Sequence, residues 1–276
     1  MSESKAIVLR SASNPTIRRM VRMRDSNRVR RKAGSVLVDG WRETAQALDA
    51  GLKLLHAYLP LSFQDESESA TDPVIQKVMR DTEPTWVTDP LMSKICFGQS
   101  PRGVVAEFAE PSRSLDELAL PTSPLILVLD CIEKPGNVGA VFRSADAAGI
   151  DAVILCGSTD LFNPNAIRSS LGCVFHVPAA VGSEEEVKAC LIGLGVRVLA
   201  ARVESSLPLW STELNGPLAI VLGNEAEGLN SRWQELAGKP IAGIRIPMSG
   251  KVDSLNVSVS AAVIGFEAVR QRNSGG

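Results

Sequence analysis

The sequence predicts an α/β protein in two parts, and three observations predict it. The runs LILVLDCI (125–132), AVILC (152–156), VRVLAA (196–201) and LAIVLG (218–223) are continuously apolar and separated by helical or loop patterns, the texture of strands buried on both faces of an open parallel sheet. A shorter alternation of strand and helix patterns occupies about the first 110 residues. Between the two lies PSRSLDELALPTSP (111–124), with three prolines and a drop in hydrophobicity. A chain of 276 residues has room for two ordinary domains, and the expected division is 1–112 and 122–276.

In the first region, Pro15 to about Arg31 reads as one basic helix, with Ile17, Met20, Val21 and Arg24 recurring at helical spacing among arginines. The strand SVLVDG (35–40) follows, then the helix WRETAQALDAG (41–51), whose Thr44, Ala45, Ala47 and Leu48 favour one face and whose Gly51 is placed to end it. A strand near LLHAYLPL comes next. The acidic stretch FQDESESATDP (63–73) reads as a surface loop. PVIQKVMRD is then a helix, TWVTD a strand end, PLMSKICFG a helix and RGVVAEFAEP a strand.

Composition excludes several classes of function. No apolar run approaches the roughly 18 residues of a membrane span, and MSESKAIVLRSASNP has no apolar signal core, so a cytoplasmic protein is expected. Cys96, Cys131, Cys156, Cys173 and Cys190 are odd in number and widely spaced, which suits packing rather than disulfides or zinc. His56 and His176 alone do not make a catalytic triad or a metal site, and no metal is expected. The net charge of −2 hides an asymmetry: residues 1–35 carry ten Lys and Arg against two acidic residues, a net +8, which leaves −10 on the rest. Such a segment is either a phosphate-binding surface or a solvated helix face.

Three segments of the second region carry more than packing requires, and each follows a strand, where open α/β sheets place their ligand crevice. In EKPGNVGAVFRSADAAGI (133–150), Pro135 and Gly136 make a turn, Asn137 can cap the helix, and Gly139 permits close helix packing. Arg143 stands on an otherwise small and apolar face, either paired with Asp146 at i+3 or functional. In LAIVLGNEAEGL (218–229), Gly223 and Gly228 have the outer spacing of a phosphate loop, but Leu229 and Asn230 replace its Lys and Ser/Thr, and Glu225 and Glu227 would repel phosphate. An ATP loop is excluded, and no GxGxxG follows the first strand. In IRIPMSGKVDSLNVSVSAAVIGFEAVRQR (244–272), a strand end precedes a long helix with Val257, Ala261, Ile264 and Ala268 on one face. Ser254 and Asn256 open that helix, Ser254 as an ordinary N-cap.

Taken in order, N-x-x-G-A-x-x-R-[ST]-A-x-A-x-G, LGNE-x-x-G-L and IPM-x-G-x-x-x-SLNVSVSAA resemble the motifs of the SpoU/TrmH group of the SPOUT superfamily, the RNA ribose 2′-O-methyltransferases. The resemblance covers about residues 123–272. It extends more loosely to LVDGWRETAQALDAG and FGQSPRGVVAEF, which look like the substrate-binding domain of rRNA-modifying and thiostrepton-resistance-type members. In place of the His-Gln-Gly that many members carry before that domain's last strand, this chain has Ser100-Pro101-Arg102-Gly103.

The resemblance implies an α/β-knot domain with a deep trefoil, preceded by a small α/β substrate-binding domain. It implies methyl transfer from S-adenosylmethionine to a ribose 2′-hydroxyl of structured RNA, rRNA before tRNA, with a catalytically silent RNA-binding or ribosome-assembly factor as the alternative. Asn137, Arg143, Glu225, Ser254 and Asn256 match the catalytic motifs. The cofactor would be held around Leu222, Gly223, Asn224, Ile246, Met248 and Leu255. RNA would meet Arg18, Arg19, Arg22, Arg30 and Arg31 of the basic front end, and Arg168 in NPNAIRSSLG (163–172), which looks like the family's Arg-x-Ser-x-Gly stretch. Family members are usually homodimers packed through the first and last catalytic helices, and the apolar spread of Val257, Val259, Val263, Ile264 and Phe266 on the last helix permits this.

Overall fold

Runs of branched apolar residues become strands, and stretches of 3.6-residue periodicity become helices, in a computed structural model that describes residues 7–64, 73–98, 103–157, 160–204, 206–224 and 228–274. In chain order the first elements are β1 (Val8–Leu9), α1 (Pro15–Asp25), α2 (Asn27–Ala33), β2 (Ser35–Asp39), α3 (Trp41–Asp49), β3 (Leu54–Pro60), α4 (Pro73–Asp81), β4 (Thr85–Val87), α5 (Asp89–Ile95) and β5 (Val105–Ala109). There follow β6 (Leu125–Asp130), α6 (Pro135–Ala148), β7 (Ala152–Cys156), α7 (Pro164–Ser169), β8 (Ala179–Gly182), α8 (Glu184–Gly193) and β9 (Arg197–Ala201). The chain ends with β10 (Ser206–Pro208), β11 (Leu218–Leu222), β12 (Glu235–Leu236), β13 (Lys239–Pro240), β14 (Ala242–Arg245) and α9 (Val257–Ser274). One compact unit comprises Met1–Pro111 and Phe162–Phe175, the other Ser112–Leu161 and His176–Gly276.

Among the described residues the first unit has a mixed five-stranded sheet in the order β1-β4-β3-β5-β2. The basic front end is two helices rather than the single one expected. The backbone breaks at Ser26 (φ −132°, ψ 114°), and the Arg30 guanidinium folds back to donate to the carbonyls of Met23 and Arg24. Helix α1 buries Ile17, Met20 and Met23 in the core with Leu37, Tyr58 and Met92. Helix α3 ends as its sequence predicts: Gly51 takes φ +77° and Leu52 N donates to Ala47 O. Residues 162–175, which the sequence assigns to the second region, pack in this unit. Helix α7 lies against β2, and Gly172, at φ +87°, comes so close to α3 that a Cβ would stand 2.6 Å from Gln46 Cβ. Most of the acidic loop, at 65–72, lies outside the described residues, as do Ser100, Pro101 and Arg102.

In the second unit β12 and β13 form a separate antiparallel pair, and seven of the described strands form a sheet, β10-β14-β9-β11-β6-β7-β8, parallel at every pairing. The four apolar runs are β6, β7, β9 and β11 at its centre. Side chains of β6 alternate between faces, yet every residue from Leu125 to Asp130 is buried, as a strand covered on both sides must be. Ile126, Val128, Ile154, Val198 and Val221 form one core with Val187 and Leu191 of α8 and with Trp233. Helices α6 and α9 pack on each other, burying Val138, Val141, Phe142 and Ala145 of one and Val257, Ala261, Ile264 and Ala268 of the other. Among the described residues no helix is long and apolar enough to cross a membrane.

Candidate functional site

Parallel pairing puts the carboxyl ends of four strands at one level. Leu222 of β11 is in register with Leu129 of β6 and with Ala201 of β9, which in turn pairs with Ile244 of β14. The three motif segments therefore leave the sheet side by side: Cys131 into the turn before α6, Gly223 and Asn224 after β11, and Ile246 to Met248 after β14. His176 precedes β8 and sits at the opposite end of the sheet, so it does not belong to this rim.

Two side-chain amides tie the segments together. Asn224 Nδ2 donates to the carbonyl of Cys131 at 3.1 Å, and Asn256 Nδ2 donates to Asn137 Oδ1 at 3.3 Å. The other end of Asn256 accepts from Ser258 N at 2.9 Å and from Ser258 Oγ at 2.6 Å. Asn256 thus caps α9, a position the sequence assigned to Ser254. Ser254 is exposed, precedes the helix by three residues, and donates only to Asp253 Oδ1 at 3.3 Å. Asn137 is likewise not a cap. Helix α6 begins at Pro135, whose fixed φ suits the first helical position, so Asn137 stands in the first turn, where its Oδ1 accepts from Asn256.

Gly223 owes its identity to its own loop. A Cβ there would lie 2.4 Å from the Gly228 carbonyl carbon and oxygen, because an antiparallel bridge between Asn224 and Gly228 folds the loop back on itself. Leu229 and Trp233 anchor the far side of the loop in the core. The Leu222 side chain is 1% exposed, so this residue can offer a ligand only its backbone. Ile246 and Met248 are half-buried and Leu255 is 36% exposed, an apolar surface left open at the rim. Glu225 lies outside the described residues.

Arg143 is exposed on α6, and among the described residues no ion pair holds it; the i+3 bridge to Asp146 is not formed. The arginine that the rim does engage was not foreseen. Arg232 Nη2 donates to Asp130 Oδ1 at 2.8 Å and its Nε lies 3.1 Å from Glu184 Oε2, which ties the segment after the Gly223 loop to the end of β6 and the start of α8. Burial alone would lower the pKa of Arg232, but Asp130, Cys131 and Glu184 outweigh it. The sequence signal was Asp130, the one charge in a buried apolar run. Burial first, and then Asp130, push the Cys131 and Cys156 thiols above their ordinary value, so neither is a thiolate nucleophile at neutral pH. Among the described residues no cluster of three His, Cys, Asp or Glu could hold a metal ion.

The proposed RNA-facing arginines divide sharply. Arg18, Arg22 and Arg31 are exposed. Arg19 instead makes a two-pronged pair with Glu107, at 2.7 and 2.5 Å, and Ser35 Oγ donates to the same carboxylate at 2.7 Å. Arg30 is 3% exposed and bonded to backbone carbonyls, so as an RNA contact it is withdrawn. Arg168 donates to Phe97 O and pairs with Asp39 at 3.5 Å inside the first unit, which commits its guanidinium internally as well.

A model of the SpoU rRNA Methylase family matches residues 124–266, and a model of the MRM3-like substrate binding domain matches residues 14–106. The chain is 30% identical over 253 residues, 89% of its length and 86% of the relative's, to a 23S rRNA (uridine(2479)-2′-O)-methyltransferase of Streptomyces viridochromogenes. It is 37% identical over 181 residues, 63% of this chain and 72% of the other, to the 23S rRNA (guanosine-2′-O-)-methyltransferase RlmB of Photorhabdus laumondii. An AdoMet-bound rRNA methyltransferase from Sinorhizobium meliloti superposes with a TM-score of 0.84 at 27% identity, covering 96% of this chain and 98% of that one. With a family model spanning more than half of its residues, and with that family's three motifs side by side on the rim of a parallel sheet, this chain belongs to the SpoU rRNA Methylase family.

Proposed function

We propose that the protein transfers a methyl group from S-adenosylmethionine to a ribose 2′-hydroxyl of rRNA, with chemistry at the rim of the second unit and RNA selection by the first. The observation that carries this reading is the Asn137–Asn256 hydrogen bond together with the Asn224–Cys131 bond, which join the three motif segments in one place. The residues present fit the cofactor. Backbone leaving β11 and β14 offers donors and acceptors, and the partly exposed Ile246, Met248 and Leu255 offer the apolar cover an adenosine needs. When bound, the cofactor supplies an electrophilic methyl group on a sulfonium.

The chain's own residues then have to align the ribose and ease loss of its proton. A guanidinium is effectively always protonated, so Arg143 is a poor base. Exposed and, among the described residues, without an ion-pair partner, it is suited to holding the substrate phosphate and lowering the hydroxyl's pKa electrostatically, with the proton leaving to phosphate or water. Asn256 and Asn137 hold α9 against α6, and Arg232 holds the segment that follows the Gly223 loop. Glu225 and Ser254 keep supporting roles by motif. A homodimer through α6 and α9 is favoured by exposed Val259 and Phe266, 46% and 50% accessible, on a helix already packed on its other side. The trefoil knot is favoured by strand order: β11 enters between β6 and β9, and β14 then returns to the far side of β9. A cytoplasmic location accords with an rRNA substrate.

Calorimetric titration tests the reading directly. Binding of S-adenosylmethionine and S-adenosylhomocysteine, with none of ATP or NAD, is expected. Mapping 2′-O-methylation in total RNA from a deletion strain should show one rRNA position lost. A lost tRNA position would reassign the substrate, and absence of cofactor binding would make the protein a silent RNA-binding factor.

A further inference from the structure

Helices α1 and α5 of the first unit enclose a groove of about 650 Å³, within the roughly 300–1,000 Å³ of clefts that take drug-sized molecules. Its floor is apolar, formed by the half-buried Val21 and the exposed Ala12, with Ile17 itself buried in the core. Its walls are basic. Arg18 and Arg22 stand one turn apart on α1, and among the described residues neither has an ion-pair partner; Lys94 faces them from α5 and is exposed. Arg24 fixes the geometry, since its guanidinium pairs with Asp25 and donates to the Lys94 carbonyl, which binds α1 to α5.

We propose that this groove seats one unpaired nucleotide of the substrate RNA, its base on the Ala12–Val21 floor and its flanking phosphates on Arg18 and Arg22. The inference rests on the RNA reading given above and adds to it a place and a class of ligand. A phosphate-only surface would need no apolar floor. Unpaired RNA bases can be splayed out and stacked on arginine guanidinium planes, which Arg18 and Arg22 offer here. The exposed Arg18, Arg22, Arg28, Arg31 and Lys32 supply the complementary charge for RNA.

The test uses the full-length protein and three labelled probes read by fluorescence anisotropy: a short oligouridine, the same strand with abasic sugars, and a blunt duplex of equal length. Oligouridine should bind roughly fivefold or more tightly than the abasic strand, and more tightly than the duplex. Arg18→Ala/Arg22→Ala should weaken oligouridine binding by roughly tenfold, flatten the log–log salt dependence by about 1.4, and remove the preference for a base. Arg28→Ala/Lys32→Ala takes the same charge from exposed positions off the groove and should flatten the salt dependence while keeping that preference. S-adenosylmethionine affinity serves as the folding control for both pairs. Equal effects of the two double variants, indifference to base removal, or equally tight binding of a polyglutamate peptide would overturn the groove. Loss of cofactor binding in the native protein with the base preference intact would remove the methyltransferase reading and leave the groove standing.

Discussion

Both units match buried carboxylates with arginines, Asp130 with Arg232 in the second, but they place them differently. In the first, carboxylates are buried within the fold and matched by arginines: Glu107 by Arg19, with Ser35 as a second donor, and Asp39 by Arg168. In the second, the interior strands are apolar throughout and the polar groups gather where the strands end, at Asp130, Asn224 and Asn256. The difference has a geometric origin. In the first unit Glu107 lies within β5, between β3 and β2, and needs a partner where it stands, whereas a parallel sheet covered on both faces admits polar groups only at its rim. Arg19, Arg30 and Arg168 of the first unit are bound by their own fold, whereas Arg143 is exposed and, among the described residues, in no ion pair.

The largest test of that contrast is Arg143→Ala. If the residue stabilises charge in the transition state, kcat should fall by about 10²–10³-fold while cofactor affinity and melting temperature stay at wild-type values. A fall in melting temperature with near-normal turnover would make Arg143 structural, like its counterparts in the first unit. Next in size is Gly223→Val. With a Cβ 2.4 Å from the Gly228 backbone, the loop must open, at roughly 1–3 kcal/mol of strain, and calorimetry should show weakened S-adenosylmethionine binding; unchanged affinity would place the cofactor on another loop.

Within the first unit the neighbours Arg30 and Arg31 form a matched pair of opposite meaning. Arg30→Ala removes charge-assisted bonds to the carbonyls closing α1 and should cost about 1.5–3 kcal/mol in urea denaturation. Arg31→Ala, on an exposed side chain, should change stability by less than about 0.5 kcal/mol. Removing the whole front end, by contrast, would take Ile17, Met20 and Met23 out of the core, so only point substitutions separate RNA binding from folding.

The smallest effect is one of pH. Burial alone would raise the Glu107 pKa, but hydrogen bonds from Arg19 and Ser35 and the charges of Arg19 and His56 together outweigh it and hold the carboxyl below its ordinary 4.5. A depressed folded-state pKa contributes stability that is present above the unfolded value and is lost as pH falls through the folded one. Glu107→Gln should therefore flatten the stability curve below about pH 4.5, and a wild-type slope there would show that the pair is not what the carboxylate answers to.

The order of the three motifs, the four central strands and the buried face of α9 were legible in the sequence, because apolar runs and helical periodicity are local properties that burial then enforces. The Asp130–Arg232–Glu184 network was not legible, since its members are 102 and 54 residues apart in sequence and on different elements; only strand register brings them together. Nor were β8 and β10, three or four residues long, with alanine, glycine or proline among them, and of β14 only the end at Ile244 and Arg245 was. The front-end arginines show the same division. Their number and sign are fixed by composition, but which of them face solvent was decided by the break at Ser26 and by Glu107 arriving from β5, 88 residues from Arg19. By itself the sequence determined the fold class, the family and the rim on which its motifs stand, since each depends on residue order along the chain. Which asparagine caps α9, which arginines bind their own fold and which remain free for a ligand were decided by tertiary structure alone, because hydrogen bonds and ion pairs depend on distances that only packing sets.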